Sequence, residues 1–503
     1  MSNHLFDTLT AFVPDLGKDF LKNPDGSALT YKEMLDRSSQ YAGALAKLGI
    51  KPDDRVAVQI EKSPDALMLY LGVVRAGAVF VPLNSAYTPS EMSFFISDAE
   101  PALFVCDPTN ADALAGIAQK EGVKLHTLDA AGGGSLSNLA DTMPTNFDTR
   151  SRDGEDLAAI LYTSGTTGRS KGAMLSHENL VSNSLTMKKV WRFTEDDVLL
   201  HAMPIFHAHG LFVATNCLMM AGGSMLFLPK FDLEQVLDLL PKATAMMGVP
   251  TFYTRLLGTD AFTRDLVRHM RVFISGSAPL SAEVHKEFSE RTGHSIIERY
   301  GMTETSMNTS NPYDGERRPG SVGFPLPGVG LRIVDEKTGR EVSPGEVGMI
   351  EVKGPNVFLG YWRMPAKTAQ EFRVDGYFIT GDLGRLDEDG YISIVGRAKD
   401  LIISGGFNVY PAEVEAVLDS YEGIAESAVI GVPHPDFGEG VIAVLAAKPG
   451  ETLSDDAIRA SLTNQLAKFK QPKKFHVLDV LPRNAMGKIQ KNVLRERYQN
   501  DFA

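Results

Sequence analysis

What most constrains the fold is an alternation, beginning at Arg55, of short apolar runs with amphipathic stretches. VAVQI reads as a strand, and Pro64 to Arg75 has helical spacing. AVFVPLN reads as the next strand, Pro89 to Asp98 as a helix and ALFVCD as another strand. Strands separated by helices of this length must run parallel, because the helix is the crossover that returns the chain to the same edge. The pattern returns in LLHAMP, SMLFLP, ATAMMGVP and RVFISGS. It changes after Ser321, where LRIVD, GMIEVKG, YFITGDLGRLD and YISIVGR are short strands broken by Gly and Asp, as in a small β-rich unit. Beyond Asp400, a helix (Pro411 to Asp419), two strand candidates (ESAVIGV and GVIAVLAA) and a polar helix read as a compact α+β unit. With 503 residues the chain exceeds what one core supports. The expected class is α/β: a large N-terminal domain (residues 1–398) of parallel α/β subdomains plus a small β-rich subdomain, then a small mobile α+β C-terminal domain (residues 399–503).

The net charge of −13 argues against nucleic acid as a partner, since phosphate backbones call for a basic surface. Cys106 and Cys217 are too few for a disulfide framework and suit a reducing compartment. The N-terminal MSNHLFDTLTAF has neither a basic segment nor an apolar run of signal-peptide type. The apolar stretch Leu67 to Leu83 is broken by Arg75 and glycines, so no stable membrane insertion is expected. A cytoplasmic enzyme fits these observations.

The segment LYTSGTTGRSKGAMLSH, Leu161 to His177, carries the first chemical signal. A strand runs into a loop dense in Gly, Ser and Thr, with Arg169 and Lys171 near its end. Glycines let backbone N–H groups turn toward an anion, hydroxyls add donors and the cations add charge, which suits a polyphosphate. It is not a Walker A loop, because Lys171 precedes Gly172 where that motif needs Gly-Lys-Ser/Thr. Alone, such a loop would equally be a surface turn.

Five further segments decide between these. SGSAPL (Ser275 to Leu280), YGMTE (Tyr300 to Glu304), YFITGDLG (Tyr377 to Gly384), GRAKDLIISGGFNVYPAEVE (Gly396 to Glu415) and PRNAMGKIQK (Pro482 to Lys491) follow in order. Together with TSGTTGRSKG they resemble the adenylate-forming superfamily of acyl-CoA synthetases, firefly-type luciferases and peptide-synthetase adenylation domains, over nearly the whole chain. The resemblance implies ATP, Mg2+ and coenzyme A as cofactor and co-substrates. It places at the nucleotide Thr163, Ser164, Gly165, Thr166, Thr167, Gly168 and Lys171; the stretch Gly276, Ser277 and Ala278; Glu298, Arg299, Tyr300, Gly301, Met302 and Thr303; and Asp382 and Arg397. Tyr300 would stack on adenine, Asp382 would accept from both ribose hydroxyls, and Arg397 would reach the same sugar. Thr167 and Glu304 would supply hard oxygens to the magnesium. Lys488 would neutralise the attacking carboxylate and the α-phosphate, a charge role rather than a proton transfer. Lys399 corresponds to the hinge of a rotating C-terminal domain, and Gly405 and Gly406 to the channel for the CoA thiol arm.

Two arginines bear on the acid. Arg299 precedes Tyr300, and Arg255 lies on the expected helix in GVPTFYTRLL. An arginine buried beside a substrate is costly unless an anion pairs with it, and a second substrate carboxylate would be one. The ERYGMTET and VPTFYTRLL segments look like those of malonyl-CoA synthetases, so a small dicarboxylate, malonate with methylmalonate tolerated, is the expected acid. The alternative for Arg299 is a protein carboxylate near Glu298, and for Arg255 a solvated position. In HAMPIFHAHG, His207 matches the family's histidine at the acyl-pocket mouth and His209 would help hold a polar substrate; no third ligand completes a zinc set.

Within the superfamily, a medium-chain fatty or aryl acid ligase is the runner-up and differs only in the acyl pocket. A peptide-synthetase domain would want an acidic residue in FHAHGLF, which has none. From another class, a non-catalytic nucleotide-binding regulator would be expected to lack Lys488 or Glu304, and both are present. Because the adenylation step needs the Lys488 charge, acetylation there by a lysine acetyltransferase is expected to stop it.

Overall fold

The computed structural model describes residues 2–13, 15–163, 170–463, 465–484 and 487–502, and every count below refers to these. Helix Pro64–Arg75 shows how the sequence builds the first layer. Ser63 caps it by accepting from the Ala66 N–H, and Pro64 opens its first turn. From Ala66 to Arg75 it is buried on every face, as only a helix packed between two layers can be. Tyr70 at its centre meets the ring of Phe80 on one side and of Phe212 on the other. One apolar cluster runs through this helix and draws side chains from two sheets.

The first sheet has seven strands in the order Gly360–Tyr361, Lys171–Ser176, Leu157–Thr163, Val79–Pro82, Arg55–Gln59, Leu103–Cys106 and Lys124–Thr127. Its five last-named strands are parallel, as the crossover argument requires. The second has nine, running from Phe324–Pro325 through Ser306–Ser310, Ile297–Met302, Val272–Ser275, Ala245–Gly248, Val198–His201, Ser224–Phe227 and Asp19–Lys22 to Ala28–Thr30. Its central strands are parallel, and antiparallel strands finish both edges. Gly330–Val334, Gly348–Lys353, Phe378–Leu386 and Ile392–Arg397 form the small antiparallel sheet expected after Ser321.

A short 3-10 turn, Ala398–Asp400, leads out of that sheet. Beyond it a five-stranded sheet is built wholly from residues after 400, centred on the long pair Ile424–His434 and Gly438–Ala447. Helix Pro411–Asp419 has the predicted bounds. No helix among the described residues is long and apolar enough to cross a membrane.

Candidate active site

Ala245–Gly248, Val272–Ser275 and Ile297–Met302 are neighbouring parallel strands. The loops at their carboxyl ends therefore open on one side of the sheet, where ligands of open α/β sheets bind. The predicted residues Gly276, Ser277, Ala278, Tyr300, Gly301, Met302, Thr303 and Glu304 all fall at these ends. Ser277 holds a left-handed backbone (φ +71°), a strained state for a residue with a side chain. Gly301 has a backbone reason for lacking one: a Cβ there would lie 1.8 Å from the Ser306 carbonyl oxygen.

Tyr300, Asp382 and Arg397 are brought together by two sheets meeting. Asp382 and Arg397 face each other across an antiparallel pair, and Arg397 Nε lies 2.7 Å from Asp382 Oδ1. Tyr300, from the nine-stranded sheet, donates its hydroxyl to Asp382 Oδ2 at 2.6 Å. Burial, reinforced by the Asp382 charge, raises the Tyr300 phenol well above its ordinary range, so it stays a donor.

Lys171 is the first residue of a strand paired with Leu157–Thr163, opposite Thr163. Its ammonium sits 4.0 Å from the centre of the Tyr361 ring and 3.9 Å from Glu371 Oε1. Tyr361 donates to Glu304 Oε1 at 3.0 Å. Burial raises the Glu304 carboxyl, with Tyr361 and the Arg397 and Lys171 charges opposing. Ser164, Gly165, Thr166, Thr167 and Gly168 lie outside the described residues. A buried carboxylate between a phenol and a lysine is a hard oxygen donor of the kind magnesium takes when phosphates and water supply the rest.

Lys488 is carried by a loop that reaches across to the N-terminal portion: a Cβ on Gly487 would come within 3.2 Å of Thr251 Oγ1. The Lys488 amide donates to Asn484 Oδ1 at 2.9 Å, which fixes the loop. The lysine is exposed, yet protein packed around it depresses its ammonium, first by desolvation and then through the Arg397 charge. Asp382 and Asp400 oppose that effect, so the amine lies in the field of the Asp382–Arg397 pair. Lys399 is exposed on the 3-10 turn. Gly405 and Gly406 (φ +61° and +82°) form the two-residue turn of an exposed hairpin, a conformation that favours glycine.

A second feature is a buried cationic cluster. Arg299 is 4% exposed, and its Nε and Nη2 have no hydrogen-bond partner among the described residues. Its guanidinium lies against the Gly276 backbone, where a Cβ would fall 2.4 Å from Nε and Cζ. Burial pushes it down to about 9, which leaves it charged at neutral pH. His209 joins it from a π-helical turn, His209–Thr215. Its Nδ1 meets Ser277 Oγ at 3.1 Å, while its buried Nε2 has no partner. Burial and then the Arg299 charge hold this imidazole neutral. His207 is pushed down to about 4 by burial.

Two sequence expectations are corrected here. Arg255 is exposed, because Phe252, Tyr253, Leu256 and Leu257 take the buried face of helix Pro250–Leu257 and turn it outward over the Phe231 ring. It does not join Arg299. Glu298 is bound by His285 Nδ1 at 2.8 Å and by the Gly320 N–H at 3.1 Å, on the strand face opposite its neighbour Arg299. That carboxylate is held by His285 and Gly320 and does not pair with Arg299. Sequence reasoning missed Glu371 and Tyr361 beside Lys171, and the hydroxyl of Ser277 beside His209.

A family model described as AMP-binding enzyme matches residues 12–362, and one described as AMP-binding enzyme C-terminal domain matches residues 413–488. A malonate–CoA ligase of Arabidopsis thaliana is 33% identical over 99% of this chain and 91% of its own length. A long-chain-fatty-acid–CoA ligase of Bacillus subtilis is 34% identical over 94% of this chain and 91% of its own length. Among solved structures, ATP-bound MatB from Rhodopseudomonas palustris is 57% identical, with full coverage of both chains and a TM-score of 0.98. Its apo form superposes with a TM-score of 0.86.

Proposed function

The chain belongs to the AMP-binding enzyme family, and from that premise we propose that it joins malonate to coenzyme A through a malonyl-adenylate. The observation that carries the choice of acid is the Arg299 guanidinium, buried with two donor nitrogens unpartnered, whose charge acts on His209, itself left with an unpartnered Nε2. A buried cation without a counter-ion is costly, and a second substrate carboxylate supplies one. Similarity to malonate–CoA ligases and to MatB supports the same acid. Methylmalonate adds one methyl and keeps both carboxylates.

In the first step one malonate carboxylate oxygen attacks the α-phosphorus of ATP, and the bond to pyrophosphate breaks. Lys488 holds positive charge between the two anions as they close, and Asp382 and Arg397 anchor the ribose. Tyr300, already bonded to Asp382, offers its ring to adenine. Lys171 faces the departing phosphates. Glu304, with Thr167, would hold magnesium, which when bound neutralises phosphate charge. In the second step the CoA thiol attacks the adenylate carbonyl, loses its proton and expels AMP.

The two steps need different loops at one carbonyl. Lys488 lies in the field of Arg397 and Asp382, whereas the Gly405–Gly406 hairpin stands exposed. The higher superposition on ATP-bound than on apo MatB fits an adenylation arrangement. Rotation of residues 399–503 against 1–398 about Lys399 would exchange the loops. Pyrophosphate exchange into ATP tests the first step: malonate should drive it without CoA. Exchange driven by octanoate or benzoate but not malonate would reject the choice of acid and keep the chemistry.

A further inference from the structure

A second buried basic cluster, Lys62 with His201, has no role in the ligation reading. Lys62 is 7% exposed and forms no ion pair among the described residues. Its Nζ lies 2.9 Å from His201 Nδ1, 2.8 Å from the His201 carbonyl oxygen and 4.1 Å from the centre of the Phe227 ring. Phe227 and His201 are register partners at the ends of their strands, so the amine is held at the same carboxyl edge that carries the site. Burial drives this lysine toward its neutral amine.

The two contacts on His201 each take one of the amine's N–H groups. With Nδ1 accepting from Lys62, His201 carries its proton on Nε2, which donates to the Gly210 carbonyl at 2.9 Å. Thr215 Oγ1 donates to the same oxygen at 2.9 Å. Gly210 is the residue after His209 and belongs to the π-helical turn. A Cβ on Gly210 would lie 2.1 Å from the Pro204 carbonyl oxygen, so its backbone is pressed against the preceding loop. Wide turns of this kind are uncommon and cluster at functional sites. Filling the Lys62 site with an apolar side chain would avoid the cost of burying an amine, so the amine is retained for its two donated bonds.

We propose that Lys62 and His201 are positioning residues for the second-carboxylate subsite: their hydrogen-bond chain to Gly210 fixes the turn that presents His209 Nε2 alongside Arg299. This rests on the malonate reading and adds to it residues that never touch substrate. Removing the chain leaves Arg299 and the nucleotide contacts in place but frees the turn that aims His209.

The test compares malonate with propionate, which lacks the second carboxylate, in the full-length enzyme. Lys62→Met and His201→Leu should raise the KM for malonate about tenfold, the worth of one hydrogen bond to a charged group. kcat with malonate and the KM for ATP should stay within about twofold of wild type. His201→Gln, which keeps an acceptor and a donor, should recover part of the loss. Thr215→Val, nearly isosteric, should move malonate the same way and serves if Lys62→Met does not fold. Parallel changes for malonate and propionate, a rise in the KM for ATP, or an unchanged malonate KM in a folded variant would overturn the proposal. Failure of the wild-type enzyme to prefer malonate over propionate would instead overturn the choice of acid.

Discussion

Replacing Arg299 with methionine should pull stability and activity in opposite directions. The guanidinium is 4% exposed and has no carboxylate partner among the described residues. Burial pushes it down to about 9, a fall from its ordinary value that corresponds to about 5 kcal/mol of disfavour for the charged form, at ~1.4 kcal/mol per tenfold change. That disfavour is present at every pH below about 9 and is relieved as pH rises above it, because there the unfolded chain still binds a proton that the folded chain has lost. Methionine removes the charge and fills most of the volume, so the empty enzyme should unfold at the same or a higher temperature. Malonate would then enter a pocket with no cation for its second carboxylate. Leaving a buried charge unpaired costs roughly 3–5 kcal/mol, so kcat/KM for malonate should fall about 10²- to 10⁴-fold. The KM for ATP should hold, since Asp382, Arg397 and Tyr300 are untouched. Pyrophosphate exchange and thermal unfolding on the same preparations read both effects. Retention of malonate kcat/KM within about threefold of wild type, or a lower unfolding temperature with a raised ATP KM, would refute the reasoning.

Gly276→Ala puts a Cβ 2.4 Å from the Arg299 guanidinium, so it should lower malonate kcat/KM about tenfold or more while leaving propionate less affected; competition assays between the two acids read this. Lys488→Ala should lower malonyl-adenylate formation about 10²-fold or more, yet leave CoA transfer from supplied malonyl-adenylate within about threefold. Equal loss in both half-reactions would contradict the assigned role. On raising pH, the ratio of malonate to propionate kcat/KM should fall as Arg299 loses its charge near 9; the ratio cancels the effect of Lys488, whose ammonium serves both acids.

The parallel layers were legible because their signals are local. Ser63 and Pro64 mark where a helix starts, and the apolar run to Arg75 has nowhere to go but between layers. Strand Ser306–Ser310 was not legible: its five residues, SMNTS, are all buried but carry no apolar alternation. Lys171 read as a loop residue because Gly172 and Ser170 flank it, whereas pairing with Leu157–Thr163 makes it the start of a strand. The π-helical turn at His209 has no periodic signature in seven residues. Arg255 could have been placed from sequence, since Phe252, Tyr253 and Leu256 already mark the opposite helix face as buried. The lack of a partner for Arg299 could not, because it depends on Glu298 finding His285 thirteen residues back along the chain.

A buried cation, Arg299, selects an acid with two carboxylates. The most direct test of that selection offers the enzyme equimolar malonate, propionate, octanoate and benzoate with ATP, magnesium and limiting CoA, and identifies the thioesters by mass spectrometry. The structure predicts malonyl-CoA as the dominant product. Octanoyl-CoA or benzoyl-CoA in its place would show that the Arg299 pocket does not read the substrate.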